Sequence, residues 1–454
     1  MTADKIVRIG GGSAFFVDSA LFMPQLVAAD VDYILLDYLA EGSMGLFGRA
    51  LKAGEGSGYP PDFLDVHIGP HLAAIADKGI RVVANAGALD PVGLAEALRG
   101  RIADLGLGLS VSAVSGDNLI EQFEEIAPRI GMADIGPNRV TSLTAYLGAF
   151  PIAEALKRGA DIVVTGRAVD SALALGPLVY EFGWRDEDWD LLAAGTVAGH
   201  LIECGAQATG GTFTDWRDVE GWEAIGPPIA ECRSDGSCMI TKPSGTGGIV
   251  SVGTVAEQLL YEVGDPQAYH TPDLTCDFTT VRLDQDGEDR VRVTGATGYP
   301  PTSDYKICAT WDDGWRAIAY QPVIGPDARA KAEKQAAALF ARGSAMLRGA
   351  QLADWRRTEA VPFGGEEEIV LKLVVEHDAM LPCQLFVREQ LMAISGMAPG
   401  TSVGFGTQIQ PVMRFASAFL PKDEITPSLD SETFDQANHG GFSADMIVRP
   451  SVPA

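Results

Sequence analysis

Apolar residues come in short unbroken runs over positions 1–274, separated by stretches in which they recur at helical spacing. The runs 6–9, 33–37, 81–85, 108–114 and 161–165 predict strands. They are continuous, not alternating, which is the pattern of strands covered by helices on both faces of a parallel sheet. Helical stretches at 72–78, 91–101 and 152–158 lie between them. Asp90 followed by Pro91 reads as a cap and a first-turn proline, and Gly159 as a helix stop before the next strand. Strands alternating with helices predict an α/β fold built on a mainly parallel sheet with covering helices.

The pattern changes near residue 275. CDFTTVRLDQDGEDRVRVTG alternates β-branched and charged residues about an Asp-Gly turn and predicts an antiparallel hairpin. KICATW, Asp312-Asp313-Gly314 and WRAIAY predict a second hairpin. An Ala-rich helix over 327–348 follows, then a strand in EEIVLKLVVEH, a helix around CQLFVREQLMAI and the apolar VMRFASAFLP. The expected organisation is an α/β domain over 1–274, with Gly-rich loops, and a C-terminal α+β domain over 275–454, with antiparallel hairpins.

Charge narrows the function. The chain carries 61 acidic and 34 basic side chains, a net charge of −27, which argues against nucleic-acid and anionic-membrane partners. An anionic small-molecule substrate would need a locally basic pocket. The 6 cysteines form no CxxC pair and read as buried thiols in a reducing compartment. MTADKIVRIGGGS shows no secretory pattern, and no apolar run is of membrane-spanning length, so a cytoplasmic location is expected.

In open α/β sheets ligands bind beyond the carboxyl ends of the strands. Those ends carry Gly10, Gly11, Gly12 and Ser13; Asp37 and Glu41; Asn85 and Gly87; Asp117; and Arg167 with Asp170. The first loop matches two glycines of a dinucleotide fingerprint, but Phe15 stands where the third belongs. It reads as a dinucleotide loop, as a turn holding another anion at a helix N-terminus, or as a structural tight turn. Arg167 is a candidate carboxylate clamp and Asp170 a candidate helix cap or proton carrier. Lys242, Gly245, Gly247 and Gly248, in KPSGTGG, suggest a second anion loop without phosphate-loop spacing, or an ordinary connection. Thr254 and Glu257 suggest a capping box for the helix that follows.

The densest group is GHLIECG. On a helix over 190–204, His200, Glu203 and Cys204 share a face near the C-terminal end, with Gly205 beyond it. His200 could act as a base oriented by Glu203, the trio could form half of a metal site, or the imidazole could simply favour the helix C-terminus. HEXXH and a second His/Cys cluster are lacking, so no metal is expected, and GxSxG is lacking as well. His67, His71, His377 and His439 read as surface or packing residues, and His270 as a somewhat better candidate.

At these motifs the sequence resembles the acyclic terpene utilisation proteins of the AtuA type. The resemblance rests on RIGGGSAFFVDS, DYLAEGSM, VVANAGALDP, AYLGAFPIAEALKRGADIVVTGRAVDSAL, GHLIECGAQATGGTFTDW, TKPSGTGGIVSVGTVAEQLLYEVGDP and VGFGTQIQPVMRFASAF, which span most of the chain. It implies a catabolic setting, the breakdown of acyclic terpenoids, and a form without the small C-terminal domain that some relatives carry. The expected function is a catabolic enzyme acting on a branched-chain carboxylate or its CoA thioester by hydration, dehydration or hydrolysis. No cofactor is expected beyond a CoA moiety in the substrate. His200, Glu203 and Asp170 would move protons, and a small partner protein and homo-oligomerisation are further expectations. The rival readings are a non-catalytic binding subunit and a nucleotide-dependent enzyme using the first glycine loop.

Overall fold

Five apolar runs of the N-terminal half form the parallel centre of an 11-stranded sheet in the computed structural model, which describes residues 5–402, 406–430 and 432–433. The strands Ile6–Gly11, Tyr33–Leu36, Arg81–Ala84, Ile162–Thr165 and Val111–Ser115 lie side by side in that order, each parallel to its neighbour. Every residue of Tyr33–Leu36 and of Ile162–Thr165 is buried, which is why apolar residues follow one another there without alternation. Ile34, Leu36, Val82, Val164, Leu94 and Leu98 belong to one core, and each large aliphatic side chain buried there contributes about 1.5–3 kcal/mol. Asp90 caps the helix Pro91–Asp104 by accepting from the Gly93 N–H at 2.8 Å.

The sheet is mixed. Ile229–Arg233 pairs antiparallel with the first strand, and Cys238–Thr241, Val291–Thr294 and Arg282–Gln285 follow outward. Ser428–Leu429 pairs antiparallel with Val111–Ser115 at the other side. The Asp-Gly hairpin is therefore part of the main sheet, where the sequence places it in a second domain.

The chain divides into one unit that runs to Thr310 and resumes at Phe415, and a second unit, Trp311–Arg414. The division expected at 274/275 is displaced because the antiparallel strands after it still pack on the first unit. Thr297–Tyr299 pairs with Thr275–Asp277, and the Gly298 N–H donates to Asp190 of the helix Trp189–Ile202 at 2.9 Å.

The second predicted hairpin does not form. Asp304–Ile324 is one strand, and Gly314 (φ +86°) lies inside it where a turn was expected. The two halves do not face each other because each has its own partner. Trp315–Ile324 pairs antiparallel with Glu368–His377, while the first half pairs with Val140–Ala145. The latter pairing continues to Tyr146, whose N–H donates to the Lys306 carbonyl at 3.0 Å. In the second unit, the helices Ala328–Gly349 and Met380–Glu389 cover the sheet, with Leu339, Leu371, Leu373 and Phe386 in its core.

Among the described residues no helix is long and apolar enough to cross a membrane. His439 lies outside the described residues.

Candidate active site

Beyond the carboxyl ends of the parallel strands, a cavity of about 540 Å³ opens in the first unit. Asp37 enters it from the end of the second strand, Arg167 and Asp170 from the loop after Ile162–Thr165, and Glu41 from the start of the helix Glu41–Ala53. His200, Glu203 and Cys204 come from the last turn of Trp189–Ile202 and the residues just beyond it. Six site candidates from widely separated positions thus converge: Asp37, Glu41, Arg167, Asp170, His200 and Glu203.

Arg167 is almost wholly buried and already engaged. One guanidinium N–H donates to Asp170 at 2.6 Å, and the guanidinium lies 4.3 Å from the centre of the Tyr146 ring. Burial works against its charge, but Asp170, Tyr146, Asp37 and Glu41 outweigh it and hold the cation firmly. Lys306 lies over the same ring at 4.4 Å. The Tyr146 hydroxyl donates to Glu41 at 2.5 Å. Burial tends to raise the Glu41 carboxyl, but the Tyr146 hydrogen bond, its own backbone and the two cations carry it below its ordinary range.

Asp37 and Glu203 behave in the opposite way. Burial pushes the Asp37 carboxyl well above the carboxylate range, helped by the charges of Asp170 and Glu203 and opposed by Arg167 and Asn85. Burial likewise raises Glu203 strongly, with Asp170 and Glu262 adding to it. The His200 Nδ1 and Glu203 Oε1 atoms are 3.0 Å apart, while Glu203 Oε2 and His200 Nε2 find no hydrogen-bond partner among the described residues. Burial lowers the imidazole, so it stays neutral at ordinary pH, although the backbone of Gln258 and Leu259 and the charge of Asp170 pull the other way. Gln258 donates to the His200 carbonyl at 2.8 Å, and Tyr269 and Phe278 pack on the ring. Burial and the Glu203 charge push the Cys204 thiol up, which makes it a poor nucleophile.

Other candidates lie behind the cavity wall. Asn85 donates to Asp37 at 2.5 Å and accepts from the Tyr38 N–H at 2.7 Å, so it orients the carboxyl. The Ser13 hydroxyl donates to the Asp37 carbonyl at 2.8 Å. Asp117 accepts from the Arg167 N–H at 2.7 Å, and burial raises its carboxyl to about 7. The Gly87 N–H donates to the Thr165 carbonyl at 3.0 Å.

Neither glycine loop offers the donors expected of it. The N–H groups of Gly11 and Gly12 donate to Pro228 and Leu35 carbonyls at 2.9 and 2.8 Å, and Gly10 is paired in the sheet, so these residues build the strand end instead of cradling an anion. Lys242 donates to the Thr246 carbonyl at 2.7 Å and pairs with Asp289 at 3.0 Å. The N–H groups of Gly247 and Gly248 donate to Ala224 and Glu220 carbonyls, both at 2.8 Å. Gly245 (φ +78°) serves the turn, and none of this segment lines the cavity with Arg167. The following helix Val252–Leu260 is capped one turn earlier than expected, by Ser251 with Thr254, while Glu257 accepts from the Thr214 N–H.

Tyr146, Lys306, Tyr261, Glu262, Tyr269 and Gln207 line the cavity without having been singled out from sequence, and His270 joins them. Tyr146 and Lys306 carry a usable signal only as a pair, because one strand pairing brings them together. Among the described residues, no group of three or more His, Cys, Asp or Glu side chains converges on a metal-binding geometry.

The family model described as acyclic terpene utilisation family protein AtuA matches residues 7–431, which include every residue of the cavity. The chain belongs to the AtuA family. A comparison with curated proteins finds no match. The AtuA match includes both the parallel sheet and the second unit, so all the elements described above are family territory.

Proposed function

We propose that the cavity is the active site of an acid–base enzyme that adds water to, or removes it from, a methyl-branched acyclic substrate of the terpenoid type. The observation that supports this most strongly is the pair of buried carboxyls, Asp37 and Glu203, held above their ordinary range on the wall of one cavity. Carboxyls in such surroundings can keep a proton at neutral pH and serve as general acids, and an ionised neighbour serves as the base. Asn85 and His200 fix their orientation through hydrogen bonds. Water chemistry of this kind needs no redox cofactor.

The alternative of a non-catalytic binding subunit gives no role to a buried carboxyl with an unpartnered oxygen. A nucleotide-dependent reaction through the first loop is disfavoured by the spent N–H groups of Gly11 and Gly12.

The test is a panel of acyclic terpenoid alcohols, unsaturated acids and their CoA thioesters incubated with the purified chain, with products read by mass spectrometry. Gain or loss of one water on at least one member is the expected result. Hydrolysis of the thioesters alone, or no turnover across the panel, would overturn the reading.

A further inference from the structure

The charge inside the cavity bears on what its ligand can be. Five carboxyl side chains, Asp37, Glu41, Asp170, Glu203 and Glu262, line it against two cations, Arg167 and Lys306. Both cations are engaged. Arg167 is held by Asp170 and by the Tyr146 ring, and Lys306 lies over that ring as well, 3.7 Å from Glu41. Even with Asp37 and Glu203 both protonated, three carboxylates face these two cations. A substrate carboxylate placed here would meet two cations already engaged and net repulsion from the carboxylates. The carboxylate clamp expected of Arg167 is therefore disfavoured. The unmet need points the other way: Glu203 Oε2, in a side chain only 7% exposed on the wall of the cavity, has no hydrogen-bond partner among the described residues. Phe15, Tyr261 and Tyr269 supply aromatic surface around it.

Resting on the reading of this cavity as a reaction site, we propose that it takes the reacting end of its substrate as an uncharged tertiary or allylic alcohol and stabilises the positive charge that develops as the C–O bond breaks. Methyl branching makes such carbons the natural reacting centres of an acyclic isoprenoid chain, because substituents stabilise the cation. In the dehydration direction the Glu203 carboxyl gives its proton to the hydroxyl, and the C–O electron pair leaves with oxygen as water. The carboxylate of Asp37 then takes the proton from the adjacent carbon, and that C–H pair becomes the double bond. The two carboxyls hold one proton between them before and after, and the products are an alkene and one water. The excess of carboxylates and the ring faces act on the cationic transition state more strongly than on the neutral alcohol, which is the condition for catalysis.

The test uses three probes on closely related isoprenoid skeletons, titrated calorimetrically into the full chain: linalool as neutral alcohol, geranate as carboxylate, and N,N-dimethylgeranylamine as a protonated mimic of the cation. The amine is expected to bind at least about 10²-fold more tightly than linalool, as transition-state mimics do, with geranate weakest. In Glu262→Gln the amine should lose affinity several-fold while linalool does not, which an effect of the acidic outer surface would not produce. Geranate binding as tightly as the amine, or no measurable binding of all three probes, would overturn the inference. The panel of turnover assays is read separately. A preference for the amine without any water chemistry defeats the proposed reaction and leaves the charge inference standing. Water chemistry with a preference for geranate does the reverse.

Discussion

Glu203→Gln is expected to lower kcat by about 10²–10⁴-fold for the reaction identified by the panel, the span that a positioned general acid or base contributes. Glutamine preserves the shape of the side chain and can still reach the His200 Nδ1, now 3.0 Å from Glu203 Oε1. It cannot give or take a proton. Because the carboxyl is buried and held above its ordinary range, the neutral amide resembles the protonated form already present, so the melting temperature should change little. Asp37→Asn should lower kcat by a similar factor, since the amide cannot take a proton, while Asn85 and the Leu39 N–H still find an oxygen at that position. Steady-state kinetics with a thermal melt on the same samples checks both. Unaltered turnover in Glu203→Gln would remove that residue from the chemistry.

The second large effect concerns the joint between the sheet and the helix that carries His200. A Cβ at Gly11 would sit 1.8 Å from the carbonyl oxygen of Ile202, the last residue of Trp189–Ile202. The obstacle is backbone, so no side-chain rotation relieves it. Gly11→Ala should cost about 3 kcal/mol or more in unfolding free energy, the upper range for overpacking. The fraction that folds should also lose activity, because a shift of about 1 Å in catalytic groups can cost 10²-fold. Gly42→Ala is the matched control. Gly42 lies in the helix Glu41–Ala53, and its Cβ would meet nothing within 4 Å, so alanine should be neutral or slightly stabilising. Urea unfolding of the two variants against the parent reads the difference. Equal stability of Gly11→Ala and Gly42→Ala would contradict the close approach of strand and helix.

Much of the parallel sheet was legible because burial on both faces leaves no other pattern. Residues 33–36 and 162–164 are apolar throughout, and the strand-end rule then collects Asp37, Arg167 and Asp170 without knowledge of the strand order. His200 and Glu203 were legible through helical spacing alone. Glycine runs misled for one reason. A Gly-rich turn advertises backbone freedom, but whether its N–H groups are free depends on partners such as Pro228 and Leu35, which lie far away in sequence. Asp312-Asp313-Gly314 misled similarly: turn chemistry marks a place where the chain can bend, while the strand partners decide whether it reverses. Thr254 was half right, since it is the third residue of a box whose cap is Ser251. Lys306, Tyr146 and Glu262 had no local signature at all. Lys306 and Tyr146 reach the cavity from a strand start and a strand end set by one tertiary pairing, and Glu262 from a position of positive φ.

The proposed chemistry requires that the Asp37 and Glu203 carboxyls, raised above their ordinary range by burial, hold one proton between them. Carbon-13 NMR titration of protein labelled at its Asp and Glu carboxyl carbons, with Asp37→Asn and Glu203→Gln to assign the signals, measures this without a substrate. At least one of the two signals should titrate well above the usual range for carboxyls near 4, as burial dictates. Both signals titrating in that usual range would contradict it.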